Sequence, residues 1–319
     1  MTFSRSVQEP PRTVVSIGSF DGVHVGHRAL IERARSIAGD DGRVVALAFF
    51  PHPMSRLRPE AAPGRLTDFD QRCDLLREAG ADEVLALEPT PELLGRTPEE
   101  FVDWVCSEYS PCVFVEGPDF RFGRARAGDN RVLRDLGERK GFRVEVVDEV
   151  EVALADQSIV RASSTVIRWL LEQGRVADAS TVLGRSYEVC GIVRQGDQRG
   201  RLLGYPTANV ETGTMLPRDG VYAGEASLPD GTVQAAAIHI GPRATFDRMN
   251  RTMEVFVIDW NGPLAEGRAE YGWPISVRFR AWLRDQAKYD SAAELCVQMS
   301  RDVERATGLY RSQSERAGV

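Results

Sequence analysis

The chain changes its hydrophobic rhythm near the middle. Before that point, short apolar runs of strand length alternate with segments of helical period. The strand-like runs are Val14–Ile17, Val44–Phe50, Glu83–Leu87, Cys112–Glu116 and Arg143–Val147. The helical segments are Ala29–Ala38, Asp68–Ala79, Pro98–Ser107 and Arg131–Lys140. Thr97-Pro98-Glu99-Glu100 opens the third helix with an N-cap, a first-turn proline and a capping-box glutamate. Such alternation predicts a parallel sheet with helices on both faces and ligands at the carboxyl ends of its strands. A helical hairpin is expected over Thr165–Leu183. From Tyr187 on, strand follows strand: Val189–Val193, Val221–Leu228, Val233–Ile240, Met253–Trp260 and Ile275–Leu283. Asp230-Gly231 marks a hairpin turn, and Ser291 with Glu294 caps one closing helix. The fold class is therefore α/β, a parallel-sheet N-terminal domain plus a small antiparallel β-barrel with a terminal helix. The boundary falls near Gly184–Tyr187, giving domains 1–185 and 186–319.

Composition narrows the chemistry. With 319 residues, 42% apolar and 27% charged, the chain reads as a soluble protein with room for two cores. A net charge of −7 argues against nucleic acid or an anionic membrane as partner, so an anionic substrate needs a local cluster of positive charge. The five cysteines are odd in number, scattered and without a C-x-x-C pair, which suits a reduced cytoplasm better than disulfides or zinc. No signal segment or membrane span is evident, so a cytoplasmic location is expected. Homo-oligomerisation stays open.

Gly18-Ser19-Phe20-Asp21-Gly22-Val23-His24-Val25-Gly26-His27 follows the first strand and enters a helix. Glycines at such a turn let backbone N–H groups approach phosphate, aided by the positive end of the helix dipole. His24 and His27 can both donate to phosphate oxygens as charge develops in transfer. A second anion signal is Arg161-Ala162-Ser163-Ser164-Thr165-Val166-Ile167-Arg168. There Arg168 occupies a first helical turn that would ordinarily favour an acid, a placement that makes sense with a phosphate in between.

H-x-G-H with a later S-S-T-x-I-R resembles the nucleotidyltransferases that attack a nucleotide α-phosphate and release pyrophosphate. Phe50-Pro51-His52-Pro53 and Gly117-Pro118-Asp119-Phe120-Arg121-Phe122-Gly123 narrow the resemblance to the FMN adenylyltransferase module of bacterial FAD synthetases, over Thr13 to Arg185. The resemblance implies a Rossmann-like domain. It also implies that His24, His27, Ser164, Thr165 and Arg168 contact ATP phosphates, with Gly18, Phe20, Asp21, Gly26 and Asp119 lining the nucleotide site. His52, between two prolines, reads equally well as a loop-shaping residue. FMN phosphate is already a nucleophile at neutral pH, so positioning and charge stabilisation with Mg²⁺ carry the reaction.

Gly196-Asp197-Gln198-Arg199-Gly200-Arg201-Leu202-Leu203-Gly204-Tyr205-Pro206-Thr207-Ala208-Asn209 joins a glycine-rich loop to P-T-A-N. Thr207 and Asn209 offer hard neutral oxygens for magnesium. The string resembles the riboflavin kinase motif, with Tyr205 in place of Phe, and Pro217–Ala223 continues the match. The resemblance places Gly196, Arg201 and Gly204 at the nucleotide. Phosphorylating a hydroxyl needs a base. Glu254, expected to share a strand face with Phe256, Ile258 and Trp260, corresponds to the family's catalytic glutamate. The chain departs from the family pattern at Ala244, at Pro263–Gly267, where a tyrosine is missing, and over Leu283–Ser291.

The first expectation is thus a bifunctional riboflavin kinase and FMN adenylyltransferase of the FAD synthetase family, using ATP and Mg²⁺, with riboflavin, FMN and FAD as substrates or products. Two alternatives remain: an adenylyltransferase whose barrel only binds flavin, and a non-catalytic flavin or nucleotide sensor. Retention of the two histidines, Arg168, Thr207, Asn209 and Glu254 together speaks against the sensor.

Overall fold

The computed structural model describes residues 12–196, 199–242, 251–260 and 270–317. The alternating first half forms β1 (Thr13–Gly18), β2 (Arg43–Phe49), β3 (Glu83–Leu87), β4 (Val113–Glu116) and β5 (Arg143–Val146). They pair in parallel, in the order β3-β2-β1-β4-β5. Helices α1 (Val25–Ala38), α3 (Phe69–Glu78), α5 (Pro98–Tyr109) and α6 (Asn130–Lys140) connect them, with short helices α2 (Met54–Leu57) and α4 (Pro91–Gly95) between. The central strands are apolar on both faces, so both must be covered. Ile31, Ala34, Leu75 and Leu76 of α1 and α3 cover one face; Phe101, Val105, Leu133 and Leu136 of α5 and α6 cover the other. The capping box at Thr97 forms as expected. Strand order reverses between β1 and β4, which places a switch point at their carboxyl ends. The β1–β4 ladder joins only Val14 to Val113 and Val15 to Phe114. Beyond it, the Ile17 N–H donates to Glu116 Oε1 at 2.9 Å.

The second half adds a hairpin, β6 (Glu151–Ala153) and β7 (Ile159–Arg161), and helices α7 (Ser164–Glu172) and α8 (Val176–Leu183). Then come β8 (Tyr187–Arg194), α9 (Arg199–Leu202), β9 (Ala208–Glu211), β10 (Gly220–Ser227), β11 (Val233–Pro242), β12 (Arg251–Val257), β13 (Pro274–Arg284) and α10 (Ala292–Ala317). The six strands from β8 to β13 close an antiparallel barrel in the order β10-β11-β12-β9-β8-β13. Its interior holds Val189, Tyr222, Ile238, Ile240, Met253, Val255 and Phe279. The opposite faces of these strands carry Val221, Ala223, Phe256, Ile258 and Leu283, which pack with Val303, Ala306 and Tyr310 of α10. Ser291 accepts from the Glu294 N–H at 3.2 Å and caps that helix.

The chain divides into two compact units. One holds the parallel sheet, up to Pro63 and again over Phe69–Glu151; the other holds Gly64–Asp68 and the described residues from Val152 onward. This division differs from the boundary expected at 185/186. Ile167, Leu170, Leu171, Val182 and Leu183 of the helical hairpin share one apolar cluster with the barrel interior. At the turn between α7 and α8, a Cβ on Gly174 would come within 2.8 Å of the Trp282 ring, so the hairpin lies tight against β13.

Candidate functional site

The β1–α1 loop is strained and is held in place by a buried ion pair. Phe20, Gly22 and Val23 all have positive φ (48°, 84° and 40°), which folds the loop back so that the Val23 N–H donates to the Phe20 carbonyl at 3.1 Å. For phenylalanine and valine that conformation is costly, and such strain concentrates at functional sites. Asp21 is buried against Arg72 of α3 at 3.0 Å. Arg72 also donates to the carbonyls of Ser19 at 2.7 Å and Phe49 at 3.1 Å, tying the loop to the end of β2. His24 is the N-cap of α1; its Nδ1 accepts from the His27 N–H at 3.3 Å. The two rings stack with centroids 3.6 Å apart, and Phe20 meets His27 edge-on at 5.3 Å. A Cβ on Gly18 would approach the Phe20 ring at 3.3 Å, and Gly26 lies in the first turn of α1. Both imidazoles thus sit at a helix N-terminus on the carboxyl edge of the sheet, where anions bind.

Nearby on the same edge, Asp119 is exposed in the loop after β4. The Asn130 amide staples that loop by donating to Gly117 O at 2.9 Å and Pro118 O at 3.2 Å. Burial pushes the Glu116 carboxyl well above its usual range, opposed by the hydrogen bond from Ile17. His52 accepts from the Met54 N–H through Nδ1 at 3.1 Å, a contact that shapes the turn into α2. Ser164, Thr165 and Arg168 lie on α7, in the other compact unit. Ser163 caps that helix, accepting from the Val166 N–H at 3.2 Å, and Arg168 donates to Gly64 O at 2.6 Å.

The barrel gathers its candidates in one row. Val221, His239, Glu254, Asn209 and Arg194 pair directly across β10, β11, β12, β9 and β8. Directly opposed residues point to the same face, here the one that packs toward α10. Glu254, His239 and Thr207 line a cavity of about 350 Å³ with Tyr205, Phe256, Arg284, Gln286 and Tyr289. Asn209 lines a second groove with Arg194 and Thr252. A Cβ on Gly196 would fall 2.1 Å from Asn209 Nδ2, so only glycine leaves that side chain in place. Gly204 turns the loop at φ 83°, and exposed Arg201 pairs with Glu270. Arg284 grips buried Asp302 of α10: Nε is shared between Oδ1 at 3.1 Å and Oδ2 at 3.0 Å, and Nη2 donates to Oδ2 at 2.7 Å.

Phe256 and Ile258 share the face of Glu254 as expected, but Trp260 does not. Asp259 adopts φ 57°, and Trp260 turns to the interior cluster, against Trp273 at 5.9 Å. Arg72, Glu116, His239 and Gln286 were not singled out from the sequence. Alternation along β11 does place His239 opposite Ile238 and Ile240, whereas nothing local marks Arg72. Asp197, Gln198, Arg243–Phe246 and Pro263–Gly267 lie outside the described residues. Among the described residues, no three His, Cys, Asp or Glu side chains form a metal cluster, and no helix is long and apolar enough to cross a membrane.

Comparison with known proteins matches the same two halves. A family model for FAD synthetase matches residues 6–163, ending just before Ser164, and a riboflavin kinase model matches residues 183–310. The bifunctional riboflavin kinase/FMN adenylyltransferase of Escherichia coli K12 is 33% identical over 302 residues, 91% of this chain and 90% of the relative. That of Bacillus subtilis is 30% identical over 310 residues, 95% and 94% of the two chains. A crystal structure described as a macrolide-efflux protein from Streptococcus pneumoniae, 28% identical, superposes with a TM-score of 0.82 over 95% of this chain and 96% of its own. Two matched halves, each with the fold its motifs require, and relatives at 30% identity or more over nine-tenths of both chains lead to one conclusion. The chain belongs to the family of bifunctional riboflavin kinase/FMN adenylyltransferases.

Proposed function

We propose that the chain makes FAD in two ATP-dependent steps: riboflavin and ATP give FMN and ADP, then FMN and ATP give FAD and pyrophosphate. The observation that carries the first step is the row across the barrel. It sets Glu254 directly beside Asn209, two residues from Thr207, on the wall of an apolar cavity. The flavin ring fits a pocket walled by Tyr205, Phe256 and Tyr289. Glu254 takes the proton from the ribityl hydroxyl as its oxygen bonds to the γ-phosphorus and the bond to ADP breaks. Thr207 and Asn209 supply the neutral oxygen donors that suit Mg²⁺, an ion that otherwise keeps waters and phosphate oxygens. When bound, it neutralises polyphosphate charge.

In the sheet-bearing unit, His24 and His27 stabilise charge on the transferring adenylyl group, while Asp21 and Arg72 hold their loop in shape. The motif that opens α7, with Ser164, Thr165 and Arg168, supports a phosphate-binding role for that helix N-terminus by its resemblance to the family. No strong base is required, because FMN attacks with an ionised phosphate oxygen. The test is a pair of substitutions. His27→Ala should cut FMN adenylylation by about 10²–10³ and spare riboflavin phosphorylation. Glu254→Gln should cut riboflavin phosphorylation by about 10²–10⁴ and spare adenylylation of added FMN. A variant that impairs both steps equally, or neither, would sink the assignment.

A further inference from the structure

His239 sits directly opposite Glu254 in the β11–β12 register, and both line the same cavity. Its protonation state can be read from Gln286. The Gln286 amide nitrogen donates to Ile240 O at 2.7 Å, which fixes the amide orientation, because a carbonyl oxygen only accepts. The same nitrogen lies 3.1 Å from His239 Nε2. An amide nitrogen has no lone pair to offer, so Nε2 is the acceptor and the ring proton resides on Nδ1. A second proton at Nε2 would face an N–H group. Burial likewise pushes the imidazole below its ordinary pKa, against the pull of Glu254 and Asp219 and with the help of Arg284. Around the ring stand Glu254 on β12, Arg284 on β13 with its partner Asp302 on α10, and Asp219 just before β10. The ring is therefore a neutral donor beside a carboxylate.

We propose that His239 is a positioning residue for Glu254: Gln286 locks it in the Nδ1–H form, and that donor, on the same cavity wall, aims the Glu254 side chain at the substrate hydroxyl. The proposal rests on the reading of Glu254 as the base. It predicts that the role depends on an N–H at the Nδ1 position rather than on the bulk of the ring. Asparagine places its amide nitrogen near that position; leucine fills similar space without a donor.

The experiment measures kcat and KM for riboflavin phosphorylation by the full chain and four variants, with thermal unfolding and adenylylation of added FMN as controls on folding. His239→Leu should lower kcat by about 10–100-fold, as loss of an orienting partner typically does, with KM for riboflavin and ATP nearly unchanged. His239→Asn should recover most of that loss. Gln286→Glu accepts from an Nε2–H, reverses the tautomer while leaving every β11 side chain in place and giving up only the donation to Ile240 O, and should lower kcat in the same way; it answers the question even if His239→Leu does not fold. A wild-type kcat in His239→Leu or in Gln286→Glu would overturn the proposal. So would an equal loss in His239→Leu and His239→Asn, or a change confined to KM. Glu254→Gln separates the two readings. If it phosphorylates riboflavin at the wild-type rate, the base assignment and this proposal fall together. If it is inactive while His239→Leu is unimpaired, only the role of His239 falls.

Discussion

Replacing Arg72 with methionine tests how the first loop is held. Arg72 and Asp21 are 3% and 5% exposed and meet at 3.0 Å, so the substitution strips a buried carboxylate of its guanidinium. It also removes the donors to Ser19 O and Phe49 O that tie the loop to β2. Breaking a buried pair from one side costs about 3–5 kcal/mol, far more than the pair is worth against an apolar replacement, because the remaining charge stays desolvated. A domain is stable by only about 5–15 kcal/mol, so the sheet-bearing unit should lose about a fifth or more of its margin. Replacing Asp21 with asparagine as well removes that charge, and the double variant should be more stable than Arg72→Met alone. Urea unfolding followed by circular dichroism, beside loss of FMN-to-FAD turnover, gives the four corners of the cycle. The coupling should exceed about 1 kcal/mol. Adenylylation should fall with the loop while riboflavin phosphorylation persists. A cost for Arg72→Met below about 1 kcal/mol, the range of exposed pairs, would show that the pair does not hold the loop.

Two further outcomes follow from the same geometry. Glu116 is buried with its carboxyl raised well above the usual range, so the folded state holds its proton where the unfolded chain has released it. Stability of that unit should therefore fall as pH rises from the ordinary carboxyl range toward the raised folded value, and Glu116→Gln should abolish that slope in pH-dependent unfolding. A slope unchanged in the variant would assign it to another group. Gly196→Ala places a Cβ 2.1 Å from Asn209 Nδ2 and must displace that side chain. Riboflavin phosphorylation should drop at least about tenfold, with the Mg²⁺ requirement shifted upward and adenylylation intact; a normal rate would remove Asn209 from the metal site.

Much of the fold was legible because alternation and periodicity were unambiguous: the five parallel strands and the four long helices between them lie within a few residues of their expected spans. What the sequence hid is tertiary. β9 escapes a reading of the sequence because Ala208–Glu211, although it alternates apolar and polar, is only four residues long and falls inside the P-T-A-N motif. The helical hairpin was grouped with the first domain by its phosphate-binding motif, whereas packing follows Leu171, Val182 and Trp282 and puts it with the barrel. The strand at Met253 was extended through Trp260 by period alone, and one left-handed residue, Asp259, reverses the last side chain. Local motifs make His24, His27, Thr207, Asn209 and Glu254 candidates, since each carries its chemistry within a few residues. Arg72 and Gln286 act on partners 51 and 47 residues away in the chain, and no pattern along the sequence announces such pairs.

The central claim is that one chain carries two ATP-using sites with different leaving groups. Riboflavin, ATP and Mg²⁺ are incubated with the full chain, and FMN, FAD, ADP and pyrophosphate are resolved by chromatography over time. The account predicts that FMN rises first and FAD follows. ADP should then equal the sum of FMN and FAD formed, and pyrophosphate should equal FAD alone. Formation of FAD only from added FMN, with no ADP released from riboflavin and ATP, would contradict the account and reduce the barrel to a flavin-binding module.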